Sequence, residues 1–527
     1  SSTIHYFCGF QQSTMKNITK LLPVLTILTL WACSKPSPDS PDTPPDPPPT
    51  PTAPYLRASV NQFTVSGNAG KLDSFLIESN AKWSITVVSN STDWVSVSPL
   101  SGTGNGKVYV TSKQNNYPAV DRTATAFINA ENNATHNVRV SLTQGSYVAV
   151  DPPNQLWSQL YGGAGNDRGY YAAATTDGGL IVVGNTNSNN GDIPANSGGK
   201  DGVILKLNAT GAKQWVKTVG SAGEEELYGV TVTPDGGYLA CGIMKYSNQT
   251  VYGSAYLARL DANGNLLWEK RINTSPRQGA MAVTSAHDGG YLVAGVTLGS
   301  DLWIAKIDDS GNLLWEKKYG GFSEDIGYAV VKSPGGGYVI AATSDSNNGD
   351  VVGAHGKRDA WVLKIDNTGT IEWKKTFGGS NDDEIWDLKV VPDGIVLAGF
   401  TWSKDGDISS NRAFDETGWL VKLDGSGNLL WQKYLRMTYG TSVAVSPDNK
   451  HYFLAGTSGV AQVDNQGNIV AQQTFGGVFS GNAMLYNILN ISATEYIVTG
   501  YTSKREGSFS TNKGGEDIWV LKFKLPL

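Results

Sequence analysis

At 527 residues the chain is too long for one ordinary domain, and its 40% hydrophobic content excludes a wholly disordered one. Its 41 basic and 47 acidic residues give a formal charge of −6, so no cationic surplus exists to neutralise phosphates and nucleic acid is excluded as an expected partner. With 62 Gly and 15 Trp, and few long Ala/Leu/Glu/Lys stretches, the composition predicts an all-β protein with many turns.

The first segment is an address. Residues 1–14 precede Met15 and are read as a mis-called upstream segment. Residues 15–32 carry Lys16 and Lys20, then the apolar stretch Leu21 to Ala32, the pattern of a secretory signal. That stretch is shorter than the ~20 residues a membrane-spanning helix needs. Leu30-Trp-Ala-Cys33 resembles a bacterial lipobox, which implies lipidation at Cys33; Trp31 stands where a small residue is usual. Removing 1–32 takes two lysines and no acid, making the remainder two charges more negative. Cys8 leaves with the leader and Cys33 takes the lipid. Cys241 alone then remains among the three cysteines, without a disulfide partner or a Cys-based zinc site.

Residues 33–55 form the anchor and a linker, with ten of the 22 prolines between 34 and 54. Polyproline II at ~3.1 Å per residue makes it a stalk of roughly 65 Å.

Residues 56–147 hold short alternating runs separated by Gly- and Asn-rich turns, the spacing of a β-sandwich. Ser79-Asn80-x-x-Trp83, Trp94-Val-Ser-Val-Ser-Pro99-x-Ser-Gly102, Asn115, Arg122 and Gln144 resemble a BACON domain. That resemblance implies an immunoglobulin-like module of Bacteroidota surface and glycan-associated proteins, either sugar-binding or a spacer. Trp83 and Trp94 are read as core residues. Residues 148–156 are a linker.

From residue 157 to 527 the chain repeats. Trp157, Trp215, Trp268, Trp315, Trp373 and Trp431 each mark one strand. A second marker, Asp301-Leu-Trp-Ile-Ala-Lys306, recurs at Asp359–Lys364 and Asp517–Lys522, with degenerate copies at Asp201, Tyr256, Trp419 and Val460. Each unit reads as four strands, with a turn such as Asp366-Asn-Thr-Gly369 before the last. Seven units predict a seven-bladed β-propeller, and the Trp157 strand is expected to complete the last blade and close the ring. The repeat resembles the Gly/Trp-rich propellers of uncharacterised exported Bacteroidota proteins.

Two loop types should share one face. One joins the blades and holds Asp167, Glu224–Glu226, Glu324–Asp325 and Asp382–Glu384; the other holds Asn189–Asp192, Asn347–Asp350, Asp405–Asp407 and Arg505–Gly507. Acids recurring at one repeat position, as Asp167, Glu225, Asp325 and Asp383 do, are read as blade geometry. The Asn-Asn-Gly-Asp loops are open to Ca²⁺ or to plain turn chemistry, and no other cofactor is expected. No His pair, haem motif or vicinal Cys pair supports catalysis, so no catalytic or metal residue is assigned.

Ten Trp serve the two markers, two the sandwich and one the leader, leaving Trp386 and Trp402. Trp386 shares a slot with Tyr170, Tyr228 and Tyr328 at the start of the innermost strands. Trp402 has no repeat counterpart: it either packs a long loop or offers a flat apolar face to a sugar. The candidate ligand-binding set is Trp386, Trp402, Asp383, His355, Arg412 and Tyr328. The expected function is non-enzymatic binding of a glycan or envelope protein by a monomer. That monomer would be held to the cell envelope by lipid alone, at the outer membrane, on either its periplasmic or its surface side. A polysaccharide-degrading enzyme using loop-face carboxylates such as Glu226 and Glu384 is the alternative, and a structural scaffold is the third.

Overall fold

The computed structural model describes residues 55–65, 73–89, 94–112, 122–131, 137–144, 154–245, 253–272, 274, 278–297, 301–408, 417–435, 437, 439–457, 459–474, 483–503 and 513–525. Cys33, the leader, the Pro-rich segment, His136, Arg412 and Arg505–Gly507 lie outside the described residues. The described residues are all-β, in nine sheets.

Two sheets come first. Leu56–Ala58, Asp73–Ser79, Gly106–Ser112 and Val95–Ser98 form one; Gln62–Val65, Asn137–Gln144, Arg122–Ala130, Lys82–Ser89 and Ser101–Thr103 form the other. Alternating residues of both, among them Phe75, Ile77, Ile85, Val108, Ile128 and Leu142, bury a single core. Trp83 and Trp94 belong to that core; Trp94 sits just before its strand rather than within it. Gly102 and Gly106 lie against the Trp83 indole, where a Cβ would overlap the ring.

Residues 154–524 form seven four-stranded antiparallel sheets. Six take their strands in chain order. The seventh is built from both ends: Asn154–Tyr161 pairs with Asp517–Lys524, Trp157 opposite Lys522. The first strands are Asp167–Ala174, Glu224–Val232, Gln278–Ser285, Asp325–Lys332, Asp383–Val391, Gly440–Val445 and Ala483–Asn490. Each packs on the next, and the last returns to the first, so the sheets close into a ring. Second and third strands are buried on both faces, whereas the fourth strands alternate exposed and half-buried residues.

The two Trp series hold this ring in different ways. Each fourth-strand Trp packs on a turn glycine of the following sheet: Trp157 on Gly211, Trp215 on Gly264, Trp268 on Gly311, Trp315 on Gly369, Trp373 on Gly427, Trp431 on Gly467. These glycines have φ between 74° and 83°, so the turn needs glycine and the missing Cβ makes room for the indole. The sixth sheet has Ala471 in the Trp position of Ile469–Thr474. The sheet that follows is the one assembled from both ends, so it has no turn between its third and fourth strands. Trp is therefore missing where it has nothing to cover.

Third-strand Trp303, Trp361, Trp419 and Trp519 are buried between sheets. Trp303 donates to Glu316 and Trp419 to Gln432, both at 2.9 Å, from a position thirteen residues on. Trp361 finds Lys374 there, a cation that cannot accept, and its Nε1 has no partner among the described residues. The lysine that closes each third-strand marker does not pair with the Asp that opens it. Instead Lys206, Lys306 and Lys422 reach the turn acids Asp177, Asp288 and Asp393, and Arg259 reaches Asp235. In the fourth sheet that turn is Ser333-Pro-Gly-Gly, with no acid, and Lys364 pairs with Glu372 instead.

Candidate functional site at the mouth of the ring

Every first strand carries one β-bulge at the same place. The pairing slips between Gly169 and Tyr171, Leu227 and Gly229, Ala280 and Ala282, Gly327 and Ala329, Ile385 and Asp387, Gly440 and Ser442, and Leu485 and Asn487. The residues the register skips are Tyr170, Tyr228, Met281, Tyr328, Trp386, Thr441 and Tyr486. A bulge bends the strand and re-aims a side chain, so the fold presents one chosen residue per sheet. Five of the seven are aromatic.

They gather in two groups. Tyr170 stacks on Tyr228 at 5.2 Å and meets Tyr486 edge-on at 5.1 Å, with Tyr501 5.9 Å from Tyr486. Across sheets four to six, Trp386 lies 6.3 Å from Tyr328, 5.3 Å from Phe400 and 5.7 Å from Tyr439, nearly parallel to the last. Phe400 in turn lies 6.1 Å from Trp402. Trp386 and Trp402 thus belong to one cluster, with Phe400 between them.

The residue two positions before several bulges fixes the ring that follows. Glu384 accepts Trp386 Nε1 at 2.7 Å, and Glu226 accepts the Tyr228 hydroxyl. Arg168 pairs with Glu516 and lies over the Tyr501 ring at 4.8 Å. Cations hold these acids in place. Arg358 reaches Glu384 at 3.0 Å, Glu324 at 2.9 Å and Asp345 at 2.8 Å; Lys200 and Lys245 flank Glu226 at 3.1 and 3.4 Å. Burial pushes the Glu384 carboxyl up against the pull of Arg358, whereas at Glu226 the two lysines outweigh burial and hold the carboxyl down. The two glutamates therefore sit in different electrostatic states.

Just past the bulges runs a buried polar chain. Lys389 bonds both oxygens of Asp387 at 2.9 and 3.0 Å, and Ser442 donates to Asp387 at 2.6 Å. Asn487 donates to Ser442 at 3.3 Å, and the Ala172 amide donates to Asn487. This links sheets five, six, seven and one across the point of closure.

The two loop types meet as expected, held by side-chain oxygens. Ala164 N donates to Asn190, Phe322 N to Asn348 and Ser380 N to Asp405, at 2.7, 3.0 and 2.7 Å. Asp192 is occupied by Lys213 and Lys513. No group of three or more His, Cys, Asp or Glu arranged for a metal occurs among the described residues.

The predicted site residues separate. Trp402 is 40% exposed and Trp386 half-buried, with Tyr328 in the same cluster. Asp383 is fully buried, its oxygens taken by Thr401, by Ser403 and by the Gly379 amide, so it ties a loop to a strand and does not face solvent. Asp167 and Asp325 make the same three contacts. His355 donates its amide to Asp359 at 2.7 Å and brings Nδ1 within 3.7 Å of Asp407. Phe400, Tyr439, Tyr486 and Tyr501 were not singled out by the sequence. Only Tyr486 had a signal, its place in the repeat slot of the last unit.

No family model and no curated protein matches the chain. Among solved structures it is similar to the β-propeller domain of Cps50 (Swd1) from Myceliophteria thermophila, at 10% identity and a TM-score of 0.43, covering 70% of this chain and 100% of that one. Sqt1 from Chaetomium thermophilum is similar at 11% identity and TM-score 0.42, covering 71% and 99%. A protein of unknown function from Bacteroides caccae is similar at 15% identity and TM-score 0.33, covering 54% and 94%. The β-propeller character of residues 154–524 rests on their own strand pairing and ring closure.

Proposed function

We propose that this chain is a lipid-anchored binding protein of a bacterial cell envelope, whose seven-bladed β-propeller takes a glycan at the mouth of the ring. The observation that carries the reading is the cluster Tyr328–Trp386–Tyr439–Phe400–Trp402. Four of its rings pack on one another, and Trp402 projects from them with 40% of its surface free. A flat apolar face held rigid, with carboxylates and amides close by, suits stacking against a pyranose while hydroxyls are hydrogen-bonded. His355 and Arg412 belong to the proposed contact. The proposal includes Cys33 as the lipidated residue, the Pro-rich stalk, residues 56–147 as a BACON-like, immunoglobulin-like module, and a monomer without a cofactor. An envelope protein on the same face is the other ligand the reading admits.

Isothermal titration of the chain from residue 34 onward against a panel of polysaccharides tests it. One member should bind, and Trp402→Ala should weaken that binding by about 1–3 kcal/mol, the usual worth of a buried aromatic contact. Binding unchanged by Trp402→Ala and Trp386→Ala would remove the site. Release of reducing ends, abolished by a single Glu384→Gln or Glu226→Gln change, would replace binding with hydrolysis.

A further inference from the structure

The loops that join the sheets hide a second repeated feature. At each of four junctions an acid at the start of a first strand lies beside the Asp at or just before the start of the third strand of the sheet before it: Asp167 with Asp517, Glu225 with Asp201, Asp325 with Asp301, Asp383 with Asp359. One oxygen of each partner converges on a single loop glycine, respectively Gly162, Gly220, Gly320 and Gly378, where a Cβ would overlap the nearer carboxylate oxygen. Seven of the eight acids are buried, Asp301 being half-buried. The first-strand acid is saturated with donors: at the fifth sheet, Thr401 and Ser403 hydroxyls and the Gly379 amide hold Asp383. The third-strand acid is not. Asp201, Asp359 and Asp517 each accept amide bonds on Oδ2, while Oδ1 is buried with no partner. Three times over, an orphan carboxylate oxygen and an oxygen of a second carboxylate lie against the same glycine, an arrangement that two ionised groups would not hold.

We propose that these junctions are proton-binding sites in which the two carboxyls share one proton, Asp359 Oδ1–H donating to Asp383 Oδ2. With the proton in place, the orphan oxygen becomes a donor to the acid that faces it. With the proton lost, two anions press on one glycine, and the loop 378–382 that leads to Asp383, Glu384 and Trp386 is driven outward. The device is therefore a pH-sensitive clamp beneath the aromatic cluster. The groups around the Asp359–Asp383 pair are His355 and Arg358 from the preceding loop, Asp382 and Glu384 beside Asp383, and Asp405 and Asp407 from the loop after the second strand. His355 lies 3.7 Å from Asp407 and also pulls the Asp359 carboxyl down, a pull that burial and Asp383 outweigh, while Arg358 is engaged by Glu384, Glu324 and Asp345.

The electrostatics agree in direction. Burial, with Asp383 adding to it, pushes the Asp359 carboxyl up to about 6, and burial likewise raises Asp167, Asp201, Glu225, Asp383 and Asp517. A carboxyl raised on folding stabilises the fold while protonated. That stability is present at low pH and is lost as pH rises from the unfolded value towards 6.

Scanning calorimetry of the full chain between pH 5 and 7.5 tests this, with Asp359→Asn supplying an amide donor where the proton would sit. The wild-type Tm should fall as pH rises through 6. The Asp359→Asn profile should be flatter, with a Tm at pH 7.5 equal to or above that of wild type. An unchanged slope with a lower Tm would overturn the proposal, as would a wild-type Tm that drops on chelation of divalent cations. If Asp359→Asn does not fold, infrared spectra of ¹³C-aspartate-labelled wild type decide the matter. A protonated-carboxyl band persisting at pH 6 supports the shared proton, and its absence overturns it.

Discussion

The indole of Trp157 packs against Gly211 so closely that a Cβ on the glycine would come within 2.9 Å of Cε3, and Tyr161 from the same strand donates its hydroxyl to the Gly211 carbonyl. This contact joins the strand nearest the start of the ring to the turn of the first sheet. It makes ring closure an interlock of side chains as well as a strand pairing.

The glycines under these tryptophans should be among the least replaceable residues. Gly264→Ala combines the cost of a side chain at φ 81° with a clash against Trp215. The sum is about 2–4 kcal/mol by the usual worth of left-handed strain and overpacking. Urea unfolding of Gly264→Ala beside Gly236→Ala separates the two terms. Gly236 has a similar φ of 80° and nothing within 4 Å of the added Cβ, so it carries the strain alone.

The unpaired Trp361 marks a place where the chain can be improved. Lys374→Gln should give Trp361 Nε1 the acceptor that Gln432 gives Trp419 and raise stability by about 1 kcal/mol. The lost Lys374–Asp350 pair is partly exposed and offsets only a fraction of that. A lower Tm for Lys374→Gln would show that the packing around Trp361 already compensates.

Acid should act on the opposite face of the ring in the opposite sense from the junctions. Hydrogen bonding by Lys206 holds Asp177 down to about 2, and hydrogen bonds from Thr233 and Arg259, against slight burial, hold Asp235 down to about 2. A carboxyl lowered on folding contributes stability above the unfolded value, and this is lost as pH falls from about 4 to 2. Asp177→Asn and Asp235→Asn should therefore lower Tm at pH 7 while leaving the transition at pH 2 near that of wild type. An equal loss at both pH values would assign these residues a purely steric role.

Arg358 ties three acids and, through Glu384, the Trp386 ring. Arg358→Met strands a buried Glu384 and should cost about 3 kcal/mol in stability. Pairing it with Glu384→Gln should recover much of the loss, because the amide oxygen still accepts Trp386 Nε1. Double-mutant calorimetry reads the coupling, and additive losses would mean that the ion cluster does not act as a unit.

The sequence by itself determined the repeat, the four strands of each unit, the turn glycines and the pairing of the Trp157 strand with the last one. These follow from local rules: markers that recur from unit to unit, turn residues that tolerate positive φ, and a half-unit at each end that leaves one edge for the other to fill. The slot shared by Tyr170, Tyr228, Tyr328 and Trp386 was also legible, because alignment of repeats needs no coordinates. Tertiary structure alone decided what occupies the mouth. Phe400 and Tyr439 reach Trp386 from a second strand and from a different sheet, and contacts between neighbouring sheets leave no period in the chain. It also decided that Asp383 is buried against Thr401 and Ser403 while Trp402, next to Thr401 in the chain, stays exposed. The strand Gly394–Thr401 is buried on both faces and ends before Trp402, so the exposure of the segment that follows depends on which loops pack over it, and that is fixed only when the ring closes.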